Sequence, residues 1–198
     1  MSIDIKNTLF ILDWDDTLFP TSWFNSNSSI NDIELYGKNF ENLDAIIYSF
    51  IHHLTNYGNV IIVTNAMLTW VNNTLKVLPY TKKILEKIQI ISARQEYGNL
   101  NENPMEWKKL AFFHIVEEQF RNHYVLNIIS IGDALYEEHA LSNINLTHRH
   151  KIRYLKSIKL LQKPNKEHII SQLQIIQKNI HEVVHRKSHI HKVFQTKK

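Results

Sequence analysis

No cysteine occurs anywhere in the 198 residues. Disulfides and thiolate metal sites are therefore excluded, and any metal would be held by oxygen or nitrogen; the composition suits a reducing compartment. Long apolar runs are missing too, since no stretch approaches the roughly eighteen uninterrupted residues that a membrane-spanning helix requires. A leader is not expected, because Met1-Ser-Ile-Asp-Ile-Lys-Asn7 places an acid before its short apolar run and offers no small-residue cleavage site. Internal repeats are absent. What is present is 43% hydrophobic residues, enough for one domain with a buried core. A net charge of +4 with a pI near 9.1 permits an anionic partner, although much of the excess sits at the C-terminal end. The expectation is a soluble protein, cytoplasmic with the nucleus open as an alternative, comprising a core over residues 1–185 and a basic tail over 186–198.

The apolar run from Thr8 to Leu12 reads as a buried strand, and it passes directly into three carboxylates, Asp13, Asp15 and Asp16. Crowding anions at the end of a buried parallel strand is costly unless a cation neutralises them. In open α/β sheets that edge is where ligands bind. Apolar runs elsewhere end in the same way: Val60-Ile-Ile-Val-Thr-Asn-Ala66 delivers Thr64 and Asn65, and Ile128-Ile-Ser-Ile131 delivers Gly132 and Asp133.

Between these runs the pattern alternates strand and helix. Pro20 and the tract Asn25-Ser-Asn-Ser-Ser29 mark a loop, with residues 22–32 too polar to join the core. Phe40, Leu43, Ile46, Ile47, Phe50, Ile51 and Leu54 recur at helical spacing, predicting a helix that stops at Asn56 or Gly58. A strand over 59–63, a helix over 68–78 stopped near Pro79, a helical segment over 81–87 and a strand over 88–91 follow. Asn103-Pro104 opens a helix expected to reach about Asn122; after it come a strand over 125–131, a short helix over 134–141, a twisted edge strand over 152–161 and a helix over 166–185. This alternation predicts an α/β fold with a doubly wound parallel sheet of about five strands and right-handed crossovers.

Asp13-Trp14-Asp15-Asp16-Thr17-Leu18 resembles the first motif of the haloacid dehalogenase superfamily, Asp-x-Asp-x-Thr-Leu. The other three motifs of that superfamily have counterparts in order: Thr64 after its apolar run, Lys108 in Trp107-Lys-Lys109, and Gly132-Asp133 with Glu137. Longer phrases resemble a capless group found in protists, algae and large DNA viruses. The interval from Thr64 to Lys108, like the one after Asp15, leaves no room for a large lid domain.

The resemblance implies a Rossmann-like core and a phosphatase that works through an aspartyl phosphate. Asp13 would be the nucleophile, and Asp15 would protonate the leaving alkoxide and then deprotonate the attacking water. An acid at the second position points away from carbon–halogen cleavage, for which relatives lack it. Mg²⁺ is the implied cofactor, held by Asp13 and Asp133, by the Asp15 carbonyl and by Glu137 through a water. An aspartate is usual near Glu137, and its longer arm leaves direct ligation or plain helix solvation open. Thr64 would hold a phosphoryl oxygen and Lys108 would neutralise Asp13 and the transferring group. Taken alone, Thr64 reads better as a threonine closing a strand and Lys108 as a solvated helix residue, with Lys109 a competitor.

Weaker candidates are Asn65, beside Thr64, and Arg94, whose guanidinium would suit a second phosphate or carboxylate but equally a surface ion pair. Trp14 reads as packing, with a side chain that lines the pocket as the alternative, and Asp16 as a hydrogen-bonding residue of the turn. His181, His185 and His189 fall at intervals of four, a spacing that aligns metal ligands on a helix, but with so many lysines and arginines around them a solvated basic tail is the preferred reading. The substrate stays open among phosphoproteins, nucleic-acid ends recruited by the basic tail, and small phosphate esters. The alternative function is a catalytically inactive binding module for a phosphorylated partner.

Overall fold

The computed structural model describes residues 7–120 and 124–195; the first residues, the expected helix end at Asn122, and Lys197 and Lys198 lie outside them. Six strands, β1 (Thr8–Leu12), β2 (Asn59–Thr64), β3 (Gln89–Ser92), β4 (Val125–Gly132), β5 (Ile152–Lys159) and β6 (Ile190–Val193), form one sheet in the order β3-β2-β1-β4-β5-β6. Every pairing is parallel. The fold is thus the predicted Rossmann-like α/β type with one strand more than expected. That strand lies in what the sequence presents as a tail: Ile190 pairs with Lys156 and Val193 with Lys159, so β5 is interior and β6 is the edge. Charge hides β6 in the sequence, since lysine and histidine surround its apolar residues, a composition usual for protected sheet edges.

Side chains alternate across the sheet, and each face is covered. Phe10, Leu12, Ile62, Ile129 and Ile131 meet α2 (Gly37–Thr55), α4 (Pro79–Leu85) and α8 (Lys166–His185) on one face. Leu9, Ile11, Ile61, Val63 and Ile128 meet α6 (Pro104–Gln119) and α7 (Tyr136–Thr147) on the other. This double covering explains why all five residues of β1 are buried. The end of α8 is fastened from inside the sheet. The fully buried Lys156 donates to the carbonyls of Val183 (2.6 Å) and Val184 (3.0 Å), and Asn127 donates to Val184 (3.2 Å). Burial, reinforced by nearby Arg186, lowers the Lys156 pKa to about 8.

Three local expectations change. Residues 22–32 are not an excluded loop: α1 (Thr21–Asn27) and a 3₁₀ helix (Ile30–Tyr36) fold down there, burying Phe24 and Ile33. Phe24 enters a ring cluster with Phe19 (5.7 Å), Tyr36 (5.6 Å), Phe40 (6.4 Å) and Trp70 (6.4 Å). The helix expected over 68–78 divides into α3 (Leu68–Thr74) and a 3₁₀ turn (Leu75–Val77). And α4 starts at Pro79, because the buried carboxylate of Asp44 accepts from the backbone of Tyr80 (2.8 Å) and Thr81 (2.7 Å), a cap supplied from α2. Among the described residues, no helix is long and apolar enough to cross a membrane.

Candidate active site

The chain leaves β1 for β2 and β3 on one side and returns to β4 on the other, so the carboxyl ends of β1 and β4 form the switch point of the sheet. Asp13 stands there, its backbone N–H donating to the carbonyl of Ile131 at 3.0 Å. Trp14 turns into the core, fully buried, and donates its indole N–H to Thr74 (3.1 Å); it is packing, as expected. Asp16 adopts a left-handed backbone, φ 53°, and its carboxylate accepts from the backbone N–H of Ser22 (2.8 Å) and from the Ser22 hydroxyl. It closes the turn. The partly exposed carboxylate of Asp15 accepts on Oδ1 from the hydroxyl of Thr21 (2.5 Å) and from the indole N–H of Trp70 (2.9 Å).

Lys108 arrives from α6, and its side chain is almost fully buried. Its Nζ lies 2.6 Å from Asp13 Oδ1 and forms a second ion pair with Glu137 Oε1. Lys109 points away and pairs with Glu106, which separates the two lysines that the sequence leaves in competition. Glu137 lies on α7 against Gly132: a Cβ on Gly132 would stand 2.6 Å from Glu137 Cγ and Cδ. Glu137 is not the plainly solvated helix residue that the sequence left open, because its carboxylate is buried against the ammonium. Burial would lower the Lys108 pKa, but Asp13 and Glu137 outweigh it and hold the pKa above the ordinary lysine range. Burial pushes Asp13 well up despite Lys108, with Glu137, Asp133 and Asp15 adding repulsion. Asp133 is pushed up to about 7 by burial and by Glu137 and Asp16.

Thr64 closes β2 two positions beyond Ile62, the partner of Leu12, which puts it at the same sheet edge as Asp13. Its buried hydroxyl accepts from the backbone of Ala66 (3.0 Å). Asn65 donates to the Pro104 carbonyl (3.1 Å) at the start of α6, and its Oδ1 is buried without a partner among the described residues. Arg94 is exposed on the short helix α5 (Ala93–Tyr97) and lies over the ring of Trp107 at 6.0 Å; no contact joins it to the acids among the described residues. Sequence spacing gives no sign of Thr21 and Trp70 as partners of Asp15, since their role depends on where a hydroxyl and an indole N–H are aimed.

Among the described residues, five acids, Asp13, Asp15, Asp16, Asp133 and Glu137, thus act on one another around the Lys108 ammonium, an excess of negative charge that a hard cation would relieve. Among the described residues, Glu137 Oε2 is buried without a hydrogen-bond partner. Among the described residues, no three His, Cys, Asp or Glu side chains already surround one point as a ready cage. Magnesium does not demand one, because it is held by one or two carboxylates, with water and phosphate completing the shell. The all-oxygen donor set fits it. The histidine series does not align: His181 and His185 stack at 3.9 Å on α8, while His189 lies beyond the helix and accepts from the backbone of Leu155. A groove of about 470 Å³ lined by Ile158, Ile176, Ile190 and Val193 is at the β6 edge and includes none of the acids.

No family model matches the chain, and neither a curated protein nor a solved structure does.

Proposed function

We propose that this chain is a Mg²⁺-dependent phosphatase of the haloacid dehalogenase type, without a large cap, that hydrolyses a phosphate monoester. The observation that carries the reading is the meeting of Asp13 and Lys108 at 2.6 Å on the switch-point edge, with Asp133 and Asp15 close enough to perturb Asp13. Asp13 attacks phosphorus, the bond to the ester oxygen breaks, and Asp15 gives that oxygen its proton, leaving an aspartyl phosphate. Asp15 then takes a proton from water as that water attacks the phosphorus; the bond between phosphorus and the Asp13 oxygen breaks, inorganic phosphate leaves, and the Asp13 carboxylate is regenerated. Burial raises the Asp15 pKa, which favours a protonated acid at the start, against the opposing hydrogen bonds of Thr21 and Trp70. Lys108 neutralises Asp13 and the phosphoryl group in turn, Glu137 holds Lys108 in place, and Thr64 and Asn65 border the phosphoryl position. The residues that would hold the ion are Asp13, Asp133 and the Asp15 carbonyl. Mg²⁺ bound there screens the repulsion between an anionic nucleophile and an anionic ester.

Only α1 and the 3₁₀ helix separate Asp15 from α2, and short helices with β3 separate Thr64 from α6. Such short segments support a site open to bulky esters, phosphoproteins and nucleic-acid ends among them. The test is hydrolysis of 4-nitrophenyl phosphate with Mg²⁺ and with chelator, with Asp13→Asn as control. The expected outcome is metal-dependent turnover that the variant lowers at least ~10³-fold, the order expected when a covalent nucleophile is lost. Absence of turnover together with retained affinity for a phosphorylated ligand would favour the binding module instead.

A further inference from the structure

Asp15 is gripped by one oxygen only. The Thr21 hydroxyl (2.5 Å) and the Trp70 indole N–H (2.9 Å) both donate to Oδ1, and among the described residues no hydrogen bond reaches Oδ2. A carboxyl oxygen that accepts two hydrogen bonds is the carbonyl-like one, so the acidic proton belongs on the other. The two donors have separate origins. Thr21 is the first residue of α1, immediately after Pro20, while Trp70 belongs to α3, just beyond Thr64. The Trp70 ring stands edge-on to Phe19 (6.3 Å, 80°) and tilted against Phe24 (6.4 Å), so the aim of its N–H is set by the aromatic cluster and not by solvent.

We infer that Thr21 and Trp70 are positioning residues for the general acid: by occupying Oδ1 they leave Oδ2 as the oxygen that protonates the leaving group and later deprotonates water. The inference rests on the phosphatase reading above. Proton donation matters most for esters of poorly acidic alcohols, because a good leaving group departs as an anion without help. Loss of aim therefore has a signature that loss of fold lacks.

The experiment compares kcat/KM of the parent chain, Trp70→Phe, Thr21→Val and Thr21→Ser, all with Mg²⁺, on 4-nitrophenyl phosphate and on phenyl phosphate, the poorer leaving group. Trp70→Phe keeps an aromatic ring, a smaller one, and removes the donor; Thr21→Val keeps the branched shape and removes the hydroxyl. Each is expected to lose about tenfold or more on phenyl phosphate and less than about threefold on the nitrophenyl ester, a fraction of the roughly 10²–10⁴ that general acids supply. Thr21→Ser is expected to keep the parent ratio between the two esters. Equal losses on both esters, or none, would overturn the inference while leaving the phosphatase reading intact. A parent chain that turns over neither ester would overturn both.

Discussion

Gly132 and Glu137 share a space with room for one set of atoms. A methyl group on Gly132 would meet Glu137 Cγ and Cδ at 2.6 Å and Oε2 at 2.8 Å, so the glutamate must swing away and release Lys108. Gly132→Ala is expected to cost about 1–2 kcal/mol in urea unfolding, because the displaced group is a side chain and not backbone. On the proposed mechanism, phosphatase activity should fall by about tenfold or more, since Lys108 loses the partner that fixes it. A variant with unchanged turnover would remove Glu137 from the machinery. At this scale the sequence is most informative where a polar residue ends an apolar run: Asp13, Thr64 and Asp133 are legible because parallel strands bring all such ends to one edge. Glu137 is legible as an acid near that edge but not as the counter-ion of Lys108, because its placement depends on the missing side chain of Gly132. The partners of Asp15 are not legible, as a tryptophan at helical spacing ordinarily reads as core.

Among the elements, α1 departs furthest from its sequence. Serine and asparagine dominate residues 21–29, and the one buried side chain of the helix, Phe24, is too little to give a period. What holds the segment is the ring cluster, in which Phe24 of α1 meets Phe19 from the turn after β1, Tyr36 of the 3₁₀ helix, Phe40 of α2 and Trp70 of α3. Phe24→Ala is expected to destabilise the protein by about 3–5 kcal/mol, measured by urea unfolding; a true surface loop would lose almost nothing. The seam between β5 and α8 offers a second test. Lys156 has a folded pKa of about 8 against an ordinary 10.5. Between those values the unfolded chain binds more protons than the folded one, so stability contributed by this group rises as pH climbs through that window. Thermal melts of wild type and Lys156→Met across pH 7.5–10.5 (roughly the window set by these two pKa values) should show wild type gaining on the variant. A constant difference would mean that Lys156 is not perturbed by its burial.

For the molecule as a whole, the basic C-terminal segment is part of the sheet. Deleting residues 186–198 would uncover the outer backbone edge of β5 from Lys156 to Lys159, where it pairs with β6. The expected cost is about 2–3 kcal/mol, or a fall in Tm of roughly 5–10 °C, with aggregation visible by size-exclusion chromatography. A freely dangling tail would leave both unchanged. The strand order carries a further consequence for how the molecule comes into being. β1 is made first yet sits in the middle, and its neighbour β4 follows far behind; the contact between Asn127 and Thr8 spans 119 residues. A nascent chain still on the ribosome therefore exposes its acidic turn long before the strand that seats Asp13 has been translated. Any fragment released before that point carries Asp13 without β4 and Asp133, and on the proposed mechanism it would be inert.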